Sequence, residues 1–303
     1  MVNLKQTIEN YLAYCTQHKK LNAKSVKAYR IDLEQLRRHT LSENIPGKTE
    51  LSAFIAHLHE NFLPRTVKRK IASFRAFFNY LEFEEIIGEN PMKKIKTKFQ
   101  LPQILPRTIS LTVIENVLSV AYQELSRTKT AYAVSVALRN AAIIELLFAT
   151  GMRVSELCSL ETQSMDLGNG TIRIMGKGAK ERMLQVGNPE VLSILRRHAE
   201  KNAAKTGYFF VNRLSSRISE QSVRFLIKRL CAKANIVQNI TPHMFRHSFA
   251  TLLLEEDVDI RYIQRMLGHS SIVTTQIYTQ VTVEKQRQIL TVKHPRNKIA
   301  VKA

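Results

Sequence analysis

The chain has 303 residues, 44% of them hydrophobic, which is enough for two domains with buried cores. Its 46 Lys and Arg residues outnumber 25 Asp and Glu, and the net charge of +21 is typical of proteins that bind a polyanion such as DNA. Three scattered cysteines (Cys15, Cys158 and Cys231), a polar N-terminus and the lack of a long apolar stretch exclude a disulfide scaffold and a membrane span, and predict a soluble, cytoplasmic protein without a membrane partner.

Residues 1–92 predict an N-terminal domain of four helices, because apolar residues recur at helical spacing. Thr49 is the expected N-cap of the third helix, and Pro64 the expected first residue of the fourth. The fourth helix carries a basic run, and two more lysines follow it. These side chains either contact the DNA backbone or form an ordinary solvated face. The candidate DNA-binding residues are Lys68, Arg69, Lys70, Arg75, Lys93 and Lys94.

Residues 93–107 predict a basic linker. Pro102 and Pro106 prevent a continuous helix there, and the segment contains no acidic residue. A basic, extended connector between two basic domains suits a C-shaped clamp around DNA. An ordinary solvated linker is the alternative interpretation.

Residues 108–303 predict a second, α+β domain. Helical patterns precede and follow a short β-hairpin, in which residues 171–175 and 181–186 flank a turn at 176–180. The whole chain is therefore expected to be mainly α-helical with one small sheet.

A phosphate site is predicted at the start of the helix that follows Thr241. Thr241 and Pro242 are a good N-cap and first helical residue, and His243 and Arg246 then share one face of the first turn. A helix N-terminus favours anions, and a guanidinium with an imidazole strengthens that preference. A capped surface helix is the alternative, and zinc binding is disfavoured because Arg246 would lie beside the metal.

Four more residues occur in short motifs that are each weak alone. Arg153 follows Gly151 in a turn, where Glu156 could anchor it or a neighbouring backbone group. Lys177 lies between two glycines of the hairpin turn. His269 follows a glycine, and Tyr278 comes nine residues later.

Together these residues address phosphoryl transfer. Cations would neutralise the charge of an attacked phosphodiester, and a tyrosine can form a covalent ester with phosphorus. His243 is the natural base and Lys177 the natural proton donor to the leaving 5′ oxygen. Since no tight carboxylate cluster is present in the sequence, metal-assisted cleavage is disfavoured.

At these residues the chain resembles the tyrosine recombinase family, also called phage integrases, and within it the bacterial Xer recombinases. The order of motifs matches: TGMRVSEL, a GKG hairpin, HMFRH, LGH and IYT. The N-terminal region resembles the SAM-like core-binding domain of that family. The HPR sequence near the C-terminus also fits the Xer proteins.

The resemblance implies a role for each residue. Tyr278 would form a 3′-phosphotyrosyl link, Arg153 and Arg246 would hold the phosphate, and His269 would hydrogen-bond to it. His243 would be the general base and Lys177 the general acid. No metal or ATP would be required.

The resemblance also implies the partners. A homotetramer would act on two double-stranded, inverted-repeat core sites through a Holliday junction, alone or with a second recombinase or accessory protein. The C-terminal tail, residues 293–303, would dock on a neighbouring protomer.

One departure leaves the biological role open. Residues 120–139 look longer than the matching connection in chromosomal Xer proteins, so integration or excision of a mobile element stands beside resolution of replicon multimers. A type IB topoisomerase and a non-catalytic DNA-binding protein are the rival functions.

Overall fold

The computed structural model describes residues 3–40, 43–100, 107–175, 181–202 and 207–268. Contacts divide the chain into two compact units, Met1–Gln103 and Ile104–Ala303. Each unit has its own hydrophobic core, and the boundary at Gln103 falls about ten residues after the predicted end of the first domain at 92.

Unit 1 contains the four predicted helices. Their bounds are α1 Leu4–Gln17, α2 Ala23–Thr40, α3 Lys48–Asn61 and α4 Pro64–Phe83, followed by a 3-10 turn at Pro91–Lys94. Pro64 does begin α4, but α3 begins earlier than predicted, after Gly47 instead of Thr49. Glu50 accounts for the shift, because its carboxylate accepts a hydrogen bond from the Gly47 N–H at 2.9 Å and so satisfies the helix start.

Aromatic side chains from α1 and α4 fill the core of unit 1. Tyr11, Phe74, Phe77 and Phe78 are fully buried there. Most of the predicted linker belongs to this unit, because Ile95 and Phe99 pack against the same core and Thr97 is buried. A continuous connector from 93 to 107 is therefore wrong for residues 93–100, and residues 101–106 lie outside the described part of the chain.

Unit 2 contains seven helices and a three-stranded antiparallel sheet within its described residues. The helices are α5 Leu111–Arg127, α6 Ala131–Thr150, α7 Val154–Cys158, α8 Pro189–Asn202, α9 Glu220–Lys233, α10 Pro242–Glu255 and α11 Ile260–Leu267. The strands are β1 Met165–Asp166, β2 Thr171–Met175 and β3 Glu181–Gln185, in the order β1-β2-β3. The sheet confirms the predicted hairpin strands and adds β1, which is too short to leave a sequence pattern.

Helix α6 is the central helix of unit 2. Ile143, Ile144 and Leu147 have no exposed surface, and α5, α8 and α10 pack around the helix. Among the described helices it alone is long and apolar enough to cross a membrane, and its burial identifies it as a core helix. The residues 120–139 that look long in the sequence are helical apart from a short connection at 128–130.

All three cysteines are buried thiols. Cys15 lies in the core of unit 1, whereas Cys158 and Cys231 lie in the core of unit 2.

Candidate active site

Arg246 is a buried arginine in the first turns of α10. Its side chain is 4% exposed, and its Nη1 and Nη2 donate to the carbonyl oxygens of Gly151 and Leu267 at 2.8 and 2.7 Å. Gly151 ends α6 and Leu267 ends α11, so one guanidinium joins the start of α10 to the ends of two other helices. A charged donor satisfying helix-terminal carbonyls is a strong contact.

Arg153 lies two residues beyond Gly151, at the N-cap of α7. Glu156 holds it twice: one carboxylate oxygen accepts from the Arg153 backbone N–H at 2.7 Å, and the other accepts from Nη1 at 2.9 Å. The sequence left open whether Glu156 anchors the side chain or the backbone, and it anchors both. The Arg153 side chain remains 36% exposed, so part of the guanidinium faces solvent.

Gly151 makes the close approach of these helices possible. It has a left-handed φ of 58°, and a Cβ built on it would lie 2.6 Å from the ring of Phe249 in α10. The predicted turn at Gly151 is thus confirmed, with the added reason that a side chain would separate α6 from α10.

His243 occupies the first turn of α10, after N-cap Thr241 and Pro242 as predicted. His243 is an exposed residue, but partial desolvation by the surrounding protein lowers its pKa below the ordinary value, and the nearby charges of Arg246, Arg224 and Arg153 lower it further. The imidazole is therefore neutral near pH 7 and able to accept a proton. Structure thus brings Arg153, His243 and Arg246 of the predicted set together.

Lys177, His269 and Tyr278 lie outside the described residues. The described residues on either side are Met175 at the end of β2 and Glu181 at the start of β3 for Lys177, and Gly268 directly before His269. Gly268 ends α11 with a left-handed φ of 63°.

Arg182 of β3 is a contact residue of this region that the sequence analysis missed. Its two terminal nitrogens donate to both oxygens of Glu156 at 2.9 Å, and Glu156 is 7% exposed. Burial alone would raise the pKa of Glu156, but the hydrogen bonds from Arg182 and the Arg153 backbone keep the pKa below its ordinary value. A signal was present in the sequence, because strand alternation puts Arg182 on the same face as apolar Leu184.

The candidate DNA-binding residues of unit 1 differ in their placement. Lys70 is 3% exposed, and its ammonium donates to buried Asp32 at 2.9 Å and to Gln35. The Lys70 ammonium is enclosed between these two side chains within unit 1, so Lys70 is corrected from a surface contact with DNA to a link between α2 and α4. This distinction depends on burial, which a run of consecutive basic residues does not reveal.

The other five basic side chains reach the surface of unit 1. Lys68 is exposed, and Arg69 is about half exposed beside Asp32. Arg75 donates to Thr97, which helps to fix the segment that was predicted as linker. Lys93 and Lys94 are exposed, at 2.7 and 2.5 Å from carboxylate oxygens of Glu82 and Glu89. Such exposed pairs are weak enough to exchange for a phosphate.

No group of three or more His, Cys, Asp or Glu side chains that could hold a metal ion occurs in the part of the chain that the structure describes.

Comparison with known proteins identifies the family. Residues 119–285 match the phage integrase family, and residues 8–85 match the phage integrase N-terminal SAM-like domain. A tyrosine recombinase of Agathobacter rectalis is 49% identical over 302 residues, covering 98% of each chain. Tyrosine recombinase XerD of Listeria monocytogenes is 34% identical over 303 residues, covering 95% of this chain and 98% of XerD.

Solved structures with low sequence identity share the fold. The XerH site-specific recombinase bound to palindromic difH substrate gives a TM-score of 0.73 at 23% identity, covering 92% of this chain and 82% of XerH. The Tn1549 transposon integrase in complex with circular intermediate DNA gives 0.69 at 18% identity, covering 96% and 99%. The chain therefore belongs to the tyrosine recombinase, or phage integrase, family of site-specific DNA recombinases.

Proposed function

We propose that this recombinase cuts and rejoins double-stranded DNA at an inverted-repeat core site, with Tyr278 as nucleophile. The observation that carries the proposal is the convergence of Arg153, His243 and Arg246, which are far apart in the sequence, where α6, α7, α10 and α11 meet. Two guanidinium groups beside a neutral imidazole suit a phosphodiester that gains negative charge as it is attacked.

The proposed cleavage step conserves the phosphodiester energy. The Tyr278 phenol oxygen forms a bond to phosphorus while the bond to the 5′ oxygen breaks, which leaves a 3′-phosphotyrosyl link and a 5′ hydroxyl. The phenol proton passes to His243, whose lowered pKa keeps it unprotonated beforehand. Lys177 donates a proton to the leaving oxygen, and His269 donates a hydrogen bond to the phosphate.

Rejoining reverses that chemistry on a new strand. The 5′ hydroxyl of a second duplex attacks the phosphotyrosyl link and releases Tyr278, and two such rounds pass through a Holliday junction. Because the covalent link stores the energy of the broken backbone, neither ATP nor a metal ion is required in this proposal.

A homotetramer on two core sites is the proposed working assembly, acting in the cytoplasm, with residues 293–303 docked on a neighbouring protomer. Exposed basic side chains of unit 1 would contact phosphates, which fix the position of the protein without reading sequence. These contacts are assigned to Lys68, Arg69, Arg75, Lys93 and Lys94.

Two biological outcomes follow from the same strand exchange: integration or excision of a mobile element, and resolution of replicon multimers. The recognised DNA distinguishes them. A core site at the ends of a mobile element supports the first outcome, and one resident site per replicon supports the second. The same DNA, tested with purified protein alone, shows whether a second recombinase or an accessory protein is needed.

Trapping tests the chemistry. Purified Tyr278→Phe protein would first select its core site from a random duplex library. A nicked substrate built on that site should then give a covalent adduct on a denaturing gel with the wild type and none with Tyr278→Phe. If the wild type binds the selected site but never forms the adduct, the chain is a non-catalytic DNA-binding protein and the proposal is wrong.

A supercoiled plasmid separates the remaining rival. A type IB topoisomerase would relax a plasmid that lacks the core site and would not join two sites. We expect recombination between two cores and no relaxation of the plasmid without a core.

A further inference from the structure

Arg182 connects three parts of the site through one guanidinium group. Nη1 and Nη2 bind Glu156, which caps the backbone of Arg153, and Nε donates to the Met266 carbonyl oxygen at 3.3 Å. Met266 lies in the last turn of α11, two residues before Gly268. Arg182 itself lies in β3, which begins four residues after Lys177 in the sequence.

The contact with α11 is close as well as hydrogen-bonded. A Cβ built on Gly268 would lie 3.0 Å from both Cδ and Nη1 of Arg182. The Arg182 side chain, 13% exposed, therefore packs against the backbone immediately before His269. Any side chain at position 268 would push against this guanidinium.

The Glu156 carboxylate accepts four hydrogen bonds, and Arg182 donates two of them. Each oxygen accepts one bond from Arg182 and one from Arg153, at 2.7 to 2.9 Å. Glu156 is buried, so removing Arg182 would leave a buried carboxylate that Arg153, of these two arginines, alone still binds. That carboxylate would then bind the Arg153 guanidinium more strongly and withdraw it from a phosphate.

We propose that Arg182 is a positioning residue for strand exchange, which holds Glu156 so that Arg153 can face the phosphate and which ties β3 to the end of α11. The inference rests on the proposed function of this site. Arg246 makes the corresponding connection from α10, because it binds the Leu267 and Gly151 carbonyls. The end of α11 is thus held by Arg182 from β3 and by Arg246 from α10.

The test compares charged and uncharged scissile phosphates. A methylphosphonate replaces one charged oxygen with a methyl group, so its cleavage depends less on a well-placed Arg153. Arg182→Met should slow single-turnover cleavage of the ordinary phosphodiester about 10- to 100-fold, with unchanged DNA affinity. Its rate on the methylphosphonate should fall much less. The ratio of the phosphodiester rate to the methylphosphonate rate should therefore be lower than in the wild type and shift toward the ratio of Arg153→Ala.

Arg196→Met is the matched control. Arg196 in α8 also donates to a backbone carbonyl of unit 2, that of Leu167, but does not contact Glu156. Arg196→Met should cleave both the phosphodiester and the methylphosphonate at the wild-type rates. If Arg182→Met gives no folded protein, Arg182→Lys, which keeps the charge without the planar fork, is measured in the same way and should also show a lowered ratio.

A double-mutant cycle supplies a second readout. If Arg182 acts through Glu156, the losses from Arg182→Met and Glu156→Gln should not add. Additive losses, or an equal fall on both substrates, would overturn the inference. Absence of an adduct with the wild type would instead contradict the proposed function. Failure of the Arg182 inference and failure of the proposed function are therefore distinguishable.

Discussion

The two arginines of the site face different demands. Arg246 is buried and satisfies two helix-terminal carbonyls, whereas Arg153 is partly exposed and shares Glu156 with Arg182. Arg246 thus holds three helices together, whereas Arg153 contributes less to the packing of unit 2.

Substitution to alanine should separate these roles. Both Arg153→Ala and Arg246→Ala should abolish the covalent adduct while retaining DNA binding. Arg246→Ala should also lower the free energy of unfolding by about 2–3 kcal/mol, because it leaves buried carbonyls unpaired. Arg153→Ala should lower it by less than about 1 kcal/mol. Urea denaturation measures the difference, and equal losses of stability would contradict this division.

The pKa of His243 sets an expected pH profile. The imidazole must be neutral to accept the phenol proton, so kcat/KM should be flat near pH 7 and fall with acid only below the ordinary histidine value of 6.5. Arg224→Gln removes one charge that lowers this pKa, so the acid limb should move to higher pH. The exposed substitution Arg196→Gln should leave the limb in place. A limb at or above the ordinary value in the wild type would argue against His243 as the base.

At the scale of elements, α4 shows how one helix can carry a core ion pair and a surface. Lys70 and Asp32 are both buried, while Lys68 on the same helix is exposed. Substitutions of these two lysines are therefore expected to have opposite effects on stability and on DNA binding.

Lys70→Ala should destabilise unit 1 by about 3 kcal/mol, because it leaves a buried carboxylate short of a partner. It should keep the salt dependence of DNA binding in protein that remains folded. Lys68→Ala should keep stability and weaken DNA binding, with the slope of log K against log salt reduced by about 0.9. Binding titrations at several salt concentrations distinguish the two, and a changed slope for Lys70→Ala would contradict its assignment to the core.

Helix α8 carries an acid-sensitive contact. His198 is fully buried between Phe209 and Phe210, its Nε2 lies 3.1 Å from the Phe209 carbonyl oxygen, and burial lowers its pKa to about 4. The unfolded chain takes up this proton at higher pH than the folded chain does. The stability from neutral His198 is thus complete above about pH 6.5 and is lost as pH falls toward 4, by up to about 3 kcal/mol.

Hydrogen exchange of α8 amides at pH 7 and pH 5 measures this loss. Protection in the wild type should decrease at pH 5 by more than in His198→Gln, whose side chain does not titrate. The exposed His18→Gln should behave as the wild type does. Equal pH dependence in His198→Gln would show that other groups cause the acid sensitivity.

The elements also show what a sequence can predict. Helical periodicity predicted α1 to α4, and alternation predicted β2 and β3, because these patterns follow directly from backbone geometry. Convergence of Arg153, His243 and Arg246 was predicted from their chemistry and family motifs. The start of α3 at Gly47, the burial of Lys70 and the contacts of Arg182 were missed, since each depends on a partner that the local pattern does not name.

At the scale of the whole molecule, the net charge of +21 is the property most relevant to DNA. Exposed cations occur in unit 1, and cations of the site occur in unit 2, so both units are expected to displace counterions. Affinity for the core site should fall about a thousandfold or more between about 50 and 200 mM salt. A loss below about tenfold, measured by fluorescence anisotropy, would mean that few phosphates are neutralised.

The carbonyl contacts of Arg246 affect how degenerate copies of such genes should be judged. A copy that has lost strand exchange still needs this guanidinium to join α10 to its neighbours, so selection for a folded DNA-binding protein would preserve it. Retention of Arg246 is consequently poor evidence that a homologous gene encodes a working enzyme. Position 153, with little structural duty, is where inactivation should first become visible.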